Sequence, residues 1–403
     1  MHTPPPRFVD FAARNWALLL AMSFGGTLAH IGTTGMPLQV GALMDGTARS
    51  PSEAGLFSFV EVAALAIGMI LISILVKQIR PARVAVVGAV FASSGTIGLY
   101  FVRDFPLQLG LGAVAGVGFG MAYSATIAAG ASSDDSDRAY AVCFGGSLLL
   151  VVLIMAVLSF TSTRFGLMGV FACLSGFALI CMPIFRGFKG TGVVKQAQSR
   201  PAQQAVWQTA GAAGLLFSWA AFSMGTAVAY VFAERIGRSI HLPESTVGLV
   251  LSSGVFVGVV GTVLAGVFSQ RLDRRIALIA GLAGSGLACF MIGHAGTLLL
   301  FAAGMYLYWI FTMFLYCFLL GSAAILDKSG RLGTLGSGAE RFGYGIGGWI
   351  GGLLAQHVSY ASTGTFGCAA CLVGLAVGYP TLFRALDRSR SAAIIAATNQ
   401  PIA

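Results

Sequence analysis

Although 403 residues could fold as two soluble domains, only 9% of them are charged while 57% are hydrophobic, and mean hydropathy is +0.85. A soluble surface needs roughly 25% charged residues to stay wetted, so composition excludes a soluble globular protein and sends most of the chain to lipid or to other apolar helices. The net charge of +10 then belongs against an anionic membrane leaflet, and no nucleic-acid partner is required.

Taken in chain order, apolar runs of about 18 to 26 residues predict helices long enough to cross ~30 Å of hydrocarbon. They lie at 16–38, 54–76, 84–102, 106–130, 139–160 and 165–185, then at 207–232, 246–269, 275–294, 297–323, 335–356 and 363–383. The fold class expected is an all-α membrane protein of twelve transmembrane helices; alternating strands of a β-barrel are absent. Before the first span, Pro4-Pro5-Pro6 and the lack of a small-residue cleavage site argue against a removable signal peptide. The longest polar break, Arg186 to Gln208, divides the spans six and six. It gives an N-terminal bundle over 1–185, a linker over 186–206 and a C-terminal bundle over 207–403. All seven cysteines fall in apolar runs. Cys368-x-x-Cys371 has no second pair, so small buried side chains are expected rather than a metal or redox cofactor.

Basic residues set the orientation. With both termini inside, inner segments hold eighteen Lys and Arg, including Lys77, Arg80, Arg83, Arg186, Arg200, Arg271 and Arg388, against five in outer segments. The asymmetry places both ends in the cytoplasm and suits a bacterial inner membrane.

The two halves also match each other. Asp134-x-Ser136-x-Arg138 recurs as Asp327-x-Ser329-x-Arg331, an offset of 193 that also carries Ser52, Gly55 and Leu56 onto Ser245, Gly248 and Leu249. Gly68 maps onto Gly261 and Gly88 onto Gly281 by the same step. A duplicated bundle, with both copies in the same direction, explains this register. Twelve spans, a central basic loop and a parallel six-plus-six repeat together resemble the major facilitator superfamily. The loop after the second span, Lys77-Gln78-Ile79-Arg80-Pro81-Ala82-Arg83, is basic but lacks the aspartate and glycine of that family's signature. Its second copy, from Gly266 through Gln270-Arg271 to Asp273-Arg274-Arg275, keeps the glycine and arginines. The resemblance implies a secondary transporter working by rocking-type alternating access, with spans 1, 4, 7 and 10 lining a central cavity. It leaves the subfamily open.

A charge near the bilayer centre costs roughly 2.5–3.5 kcal/mol on insertion scales, so the few polar groups inside spans are the candidate site. Span 1 carries Gly26, Thr27, His30, Thr33, Thr34 and Pro37 as one polar stripe. His30 titrates near neutrality when unperturbed and suits proton coupling, or is simply hydrogen-bonded. Glu61 in span 2 lies among Ala54, Ser58, Ala64 and Gly68, small residues that favour close packing; it is either a proton carrier or a structural carboxylate. Span 4 offers Tyr123, Ser124 and Thr126. Span 7 repeats the polar stripe with Trp219, Ser223, Thr226 and Tyr230. On span 10, Tyr306, Trp309, Met313 and Tyr316 share a face that could stack a substrate or pack the core.

Glu340 and Arg341 open span 11; Arg341 can grip a carboxylate or phosphate bidentately, and Glu340 could carry a proton. The Asp134/Arg138 and Asp327/Arg331 loops read as inner-gate ion pairs or as helix-capping turns. Gly343, Gly347 and Gly351, four apart, read as a close-packing stripe rather than a dinucleotide loop, since no strand precedes them.

No Walker A motif or H-E-x-x-H appears, so neither an ATP-driven pump nor a zinc hydrolase is indicated, and no cluster of catalytic groups suggests an enzyme. Asparagine occurs only at Asn15 and Asn399, outside the spans, which disfavours a sugar. Hydroxyls, aromatics, a histidine, two acids and an arginine suit a small organic anion, aromatic or not, moving with protons. Export of amphipathic drugs is the alternative, weakened by the absence of proline from Ala139 to Phe160. The chain is expected to function as a monomer.

Overall fold

A computed structural model describes residues 8–75, 78–133, 135–191, 194–195, 211–268, 271–327 and 331–398. They form α1 (Phe8–Thr34), α2 (Met36–Thr47), α3 (Pro51–Leu75), α4 (Pro81–Phe101), α5 (Phe105–Ala131), α6 (Ser136–Ile184) and α7 (Ala212–Tyr230). Then follow α8 (Ala233–Ser239), α9 (Glu244–Phe268), α10 (Arg274–Gly293), α11 (Leu298–Leu326), α12 (Arg331–His357) and α13 (Tyr360–Thr398). A 3-10 turn covers Phe185–Thr191, and a two-residue ladder pairs Gln78–Ile79 with Val194–Lys195.

The chain is an all-helical membrane protein, with ten helices long and apolar enough to span among the described residues. The expected fifth and sixth spans both lie within α6, which is two helices divided at Gly166, where the backbone leaves helical geometry (φ 55°, ψ −130°). Glycine adopts that positive φ readily, whereas any other residue there would be strained even though an added Cβ meets nothing within 4 Å. The expected eleventh span is α12, whose glycines and polar residues keep it out of the ten apolar helices. Helix starts follow local chemistry. Asp104 and Thr297 accept the Leu107 and Leu300 amides at the heads of α5 and α11, and Pro81 sits in the first turn of α4, where no amide hydrogen is needed.

By packing, the chain divides into one unit of residues 1–47 and 60–198 and another of 48–59 and 199–403. In the first, α1 packs on α5 and α6, and α4 on α5. Hydroxyls tie these helices: Ser147 Oγ donates to the Ser23 carbonyl (2.9 Å), Thr27 Oγ1 to the Ser147 carbonyl (3.2 Å), and Ser93 and Ser175 meet at 2.7 Å.

In the second unit, α7 packs on α12 and α13, and α9 on α11. A Cβ added at Gly343, Gly347 or Gly351 would meet the carbonyl of Ala220, Met224 or Val228 on α7, so the stripe is a close backbone seam of the kind small residues permit. Segment 48–59 joins this unit, with Gly55 against Gly352 and the Ser52 amide donating to Gln356 Oε1 (3.1 Å).

The repeat extends to these contacts. A Cβ on Gly68 would press on the Val117 carbonyl, and one on Gly261 on the Ile310 carbonyl. Both members of the pair shift by 193.

Candidate functional site

In the first unit the site is built around a helix break. α1 stops at Thr34 and α2 resumes at Met36 with Pro37 in its first turn. Gly35 between them still donates to the Ile31 carbonyl (2.7 Å). From α2, Gln39 reaches back: its Nε2 donates to the Gly32 carbonyl (2.8 Å) and approaches Glu61 Oε1 on α3 at 3.5 Å.

Both side chains are sealed, Glu61 at 1% exposure and Gln39 at 0%. Glycines make the room. A Cβ on Gly32 would stand 3.0 Å from Glu61 Oε1, and one on Gly116 would run into the Glu61 backbone carbonyl. Glu61 Oε2 and Gln39 Oε1 have no hydrogen-bond partner among the described residues. Nearby in sequence, the half-buried His30 ring meets Tyr123 edge-on at 5.7 Å, and buried Thr33 donates to the His30 carbonyl (2.9 Å).

In the second unit α7, α11 and α12 contribute the groups. Trp219 is fully buried, edge-on to Tyr316 at 5.7 Å, with Gly336 leaving space for its indole. Tyr316 hydrogen-bonds the Glu340 side chain, and Ser223 Oγ donates to the Glu340 carbonyl (2.7 Å). Glu340 Oε2 is sealed without a partner, and the buried Arg341 lies within electrostatic reach of the same carboxyl.

About two turns beyond Ser223 on α7, Tyr230 stacks on Tyr308 (4.9 Å), and Trp309 meets the two rings edge-on at 5.5 and 5.6 Å. Thr226 donates to the Phe222 carbonyl (2.9 Å) and hydrogen-bonds Tyr308. Tyr306 stands apart from this group, with its hydroxyl 3.0 Å from Ser253 on α9. The shared face of Tyr306, Trp309 and Tyr316 is thus spent on packing against α9 and α7. Gly254, the repeat counterpart of Glu61, faces the Trp309 indole, whose Cδ1 would lie 2.9 Å from a Cβ there.

Of the proposed gate residues, Asp134 lies outside the described residues, as do the side chains of Arg138 and Arg331. The Asp327 carboxylate accepts the Leu332 amide (2.9 Å), which caps the start of α12. Among the described residues no group of three His, Cys, Asp or Glu could hold a metal ion.

Gln39 and Glu234 are buried polar residues that the sequence alone did not single out. Gln39 sits one residue beyond the expected end of span 1. Glu234, 2% exposed in α8, pairs with Arg235 at 3.0 Å and with Arg238 at 3.6 Å. Each follows a helix break after the first helix of its half, and a break is where a buried side chain must replace lost backbone partners. The prolines and aromatics around Pro37 and Phe232 were the available signal.

A family model described as the Major Facilitator Superfamily matches residues 20–323. No curated protein matches the chain. Among solved structures, the crystal structure of a D-xylose-proton symporter is similar at TM-score 0.72 over 90% of this chain and 97% of that one, with 14% identity; likeness at that identity concerns the fold alone.

Proposed function

The chain belongs to the major facilitator superfamily and is a multi-span secondary transporter of a small molecule; from that premise we propose that it carries a small organic anion together with protons. The observation that carries this reading is Glu61. A carboxyl is retained at 1% exposure on a membrane helix, beside an amide and with no arginine or lysine paired to it among the described residues. Such a group is costly to keep in hydrocarbon and serves well as a place for a proton. His30 and Glu340 are further stations for the proton.

The substrate side of the reading rests on the second unit. Arg341 supplies a permanent positive charge for a carboxylate, and the second unit's rings Trp219, Tyr230, Trp309 and Tyr316 are the candidates to favour an aromatic or apolar body. In this reading Ser223 and Thr226 contribute hydroxyls, Thr33 and Tyr123 are the candidate hydroxyls of the first unit, and the Asp134/Arg138 and Asp327/Arg331 loops close the inner end as two six-helix bundles, 1–185 and 207–403, rock about the 186–206 linker. The monomer lies in a bacterial inner membrane with both termini cytoplasmic. The xylose carried by the similar symporter is not expected here, because asparagine is confined to Asn15 and Asn399.

A thermal-shift screen of the purified transporter against aromatic carboxylates, organic cations, sugars and amphipathic drugs tests the substrate class, since a ligand stabilises the state it binds. Carboxylates should raise the midpoint. A rise confined to cationic drugs would favour the exporter, and one confined to sugars would refute the anion reading.

A further inference from the structure

We propose that Glu61 and Gln39 form an acid–amide pair closed by one proton, so that the protonation of Glu61 is tied to the break between α1 and α2. The inference rests on Glu61 being a proton carrier, and adds Gln39 as its positioning residue.

The orphaned atoms carry it. Gln39 Nε2 has two hydrogens and two acceptors, the Gly32 carbonyl at 2.8 Å and Glu61 Oε1 at 3.5 Å. The two buried oxygens left without partners are the other oxygen of the same amide and the other oxygen of the same carboxyl, Gln39 Oε1 and Glu61 Oε2. Buried polar atoms are rarely left unpaired. A single proton on Glu61 Oε2 satisfies both at once: it donates to Gln39 Oε1 while Gln39 Nε2 donates to Glu61 Oε1, a closed ring of two hydrogen bonds.

Around the carboxyl, α1 contributes Gly32 and α2 the Gln39 amide, while Gly116 of α5 packs against the Glu61 backbone carbonyl. The titratable side chains on the flanking parts of α1 and α5, His30 and Tyr123, engage each other. When the proton passes to water, the O–H bond breaks and its electron pair stays on Glu61. The carboxylate then faces the amide oxygen with like partial charge. Gln39 must turn, and it gives up its hold on Gly32 or on Glu61. The α1–α2 break is therefore held in one geometry by the protonated acid and released by the ionised one.

Infrared spectroscopy of the full-length protein in lipid vesicles reads this directly. At neutral pH the wild-type spectrum minus that of Glu61→Gln should contain the C=O stretch of a hydrogen-bonded, protonated carboxyl. Gln39→Met should move that band to higher frequency. Absence of the band, or a position unchanged in Gln39→Met, overturns the pair.

Should Gln39→Met not fold, isotope-labelled glutamine in the wild type gives the second reading. A glutamine amide band must shift between acid and alkaline pH and stay still in Glu61→Gln; a band that never shifts overturns the proposal. Intact pair spectra with transport indifferent to pH gradients would overturn proton carriage alone, and coupled transport without the spectral shift would overturn the pair alone.

Discussion

The hydroxyl of Ser223 donates to the backbone carbonyl of Glu340 at 2.7 Å, joining α7 to α12. In the first half Thr27 joins α1 to α6 through the carbonyl of Ser147 at 3.2 Å. Ser147 and Glu340 are 193 residues apart, so the accepting carbonyls are repeat equivalents, whereas the donors, Thr27 and Ser223, are 196 apart. The second copy adds a carboxyl side chain where the first has a serine. The hydroxyl-to-carbonyl joints are read as scaffold, and the added carboxyl as the proposed site of function.

Removing either hydroxyl should therefore cost little stability and separate the two roles. Interhelical hydrogen bonds in membranes average about 0.6 kcal/mol, so Ser223→Ala and Thr27→Val should each lower the thermal midpoint slightly. Ser223→Ala should also raise the KM for substrate by loosening Glu340, while Thr27→Val leaves KM unchanged. Equal KM effects would remove Glu340 from the site.

The glycine seam predicts a sharp positional contrast. Gly347→Val places side-chain atoms against the Met224 carbonyl and the Ala227 Cβ, and should abolish folded protein in size-exclusion chromatography. Gly338 has nothing within 4 Å of an added Cβ, so Gly338→Ala should be neutral or gain up to about 1 kcal/mol of helix propensity.

Trp219 and Tyr316 touch but should respond differently. Trp219 is fully enclosed in the core with Leu215, Phe222 and Leu319, so Trp219→Ala should cost about 3–5 kcal/mol and be read in unfolding. Tyr316→Phe keeps the ring and removes the hydroxyl from Glu340. It should alter substrate binding with an unchanged midpoint.

At α8, Glu234→Ala removes the carboxylate 3.0 Å from Arg235, whose side chain is only 12% exposed. Breaking a buried pair costs about 3 kcal/mol or more. The double variant Glu234→Leu/Arg235→Leu should be closer to wild type in thermal midpoint than Glu234→Ala.

The spans, the repeat and the seam were legible because each leaves a periodic trace: apolar length, a constant offset, glycines every fourth residue. The offset even carries the contact of Gly68 with Val117 onto that of Gly261 with Ile310. Gln39 and Glu234 were not legible, since each follows a helix break and hydropathy assigns such positions to polar ends. What buries them is the packing of other elements over the break, which no local pattern records. The aromatic face of α11 was visible, but its use was not. Trp309 fills the space beside Gly254, and Tyr306 turns to Ser253, because the small residues of α9 left room for them. Glu61 was legible as a charge in an apolar helix; its dependence on Gln39 required the fold.

In the proposed mechanism, substrate moves with a proton held by Glu61. The most direct test is uptake of a stabilising carboxylate, identified by thermal shift, into proteoliposomes of the purified protein under an imposed pH gradient. Wild type should accumulate it only with the gradient, while Glu61→Gln should exchange it across the membrane but no longer accumulate it. Gradient-driven accumulation that survives in Glu61→Gln would contradict the account.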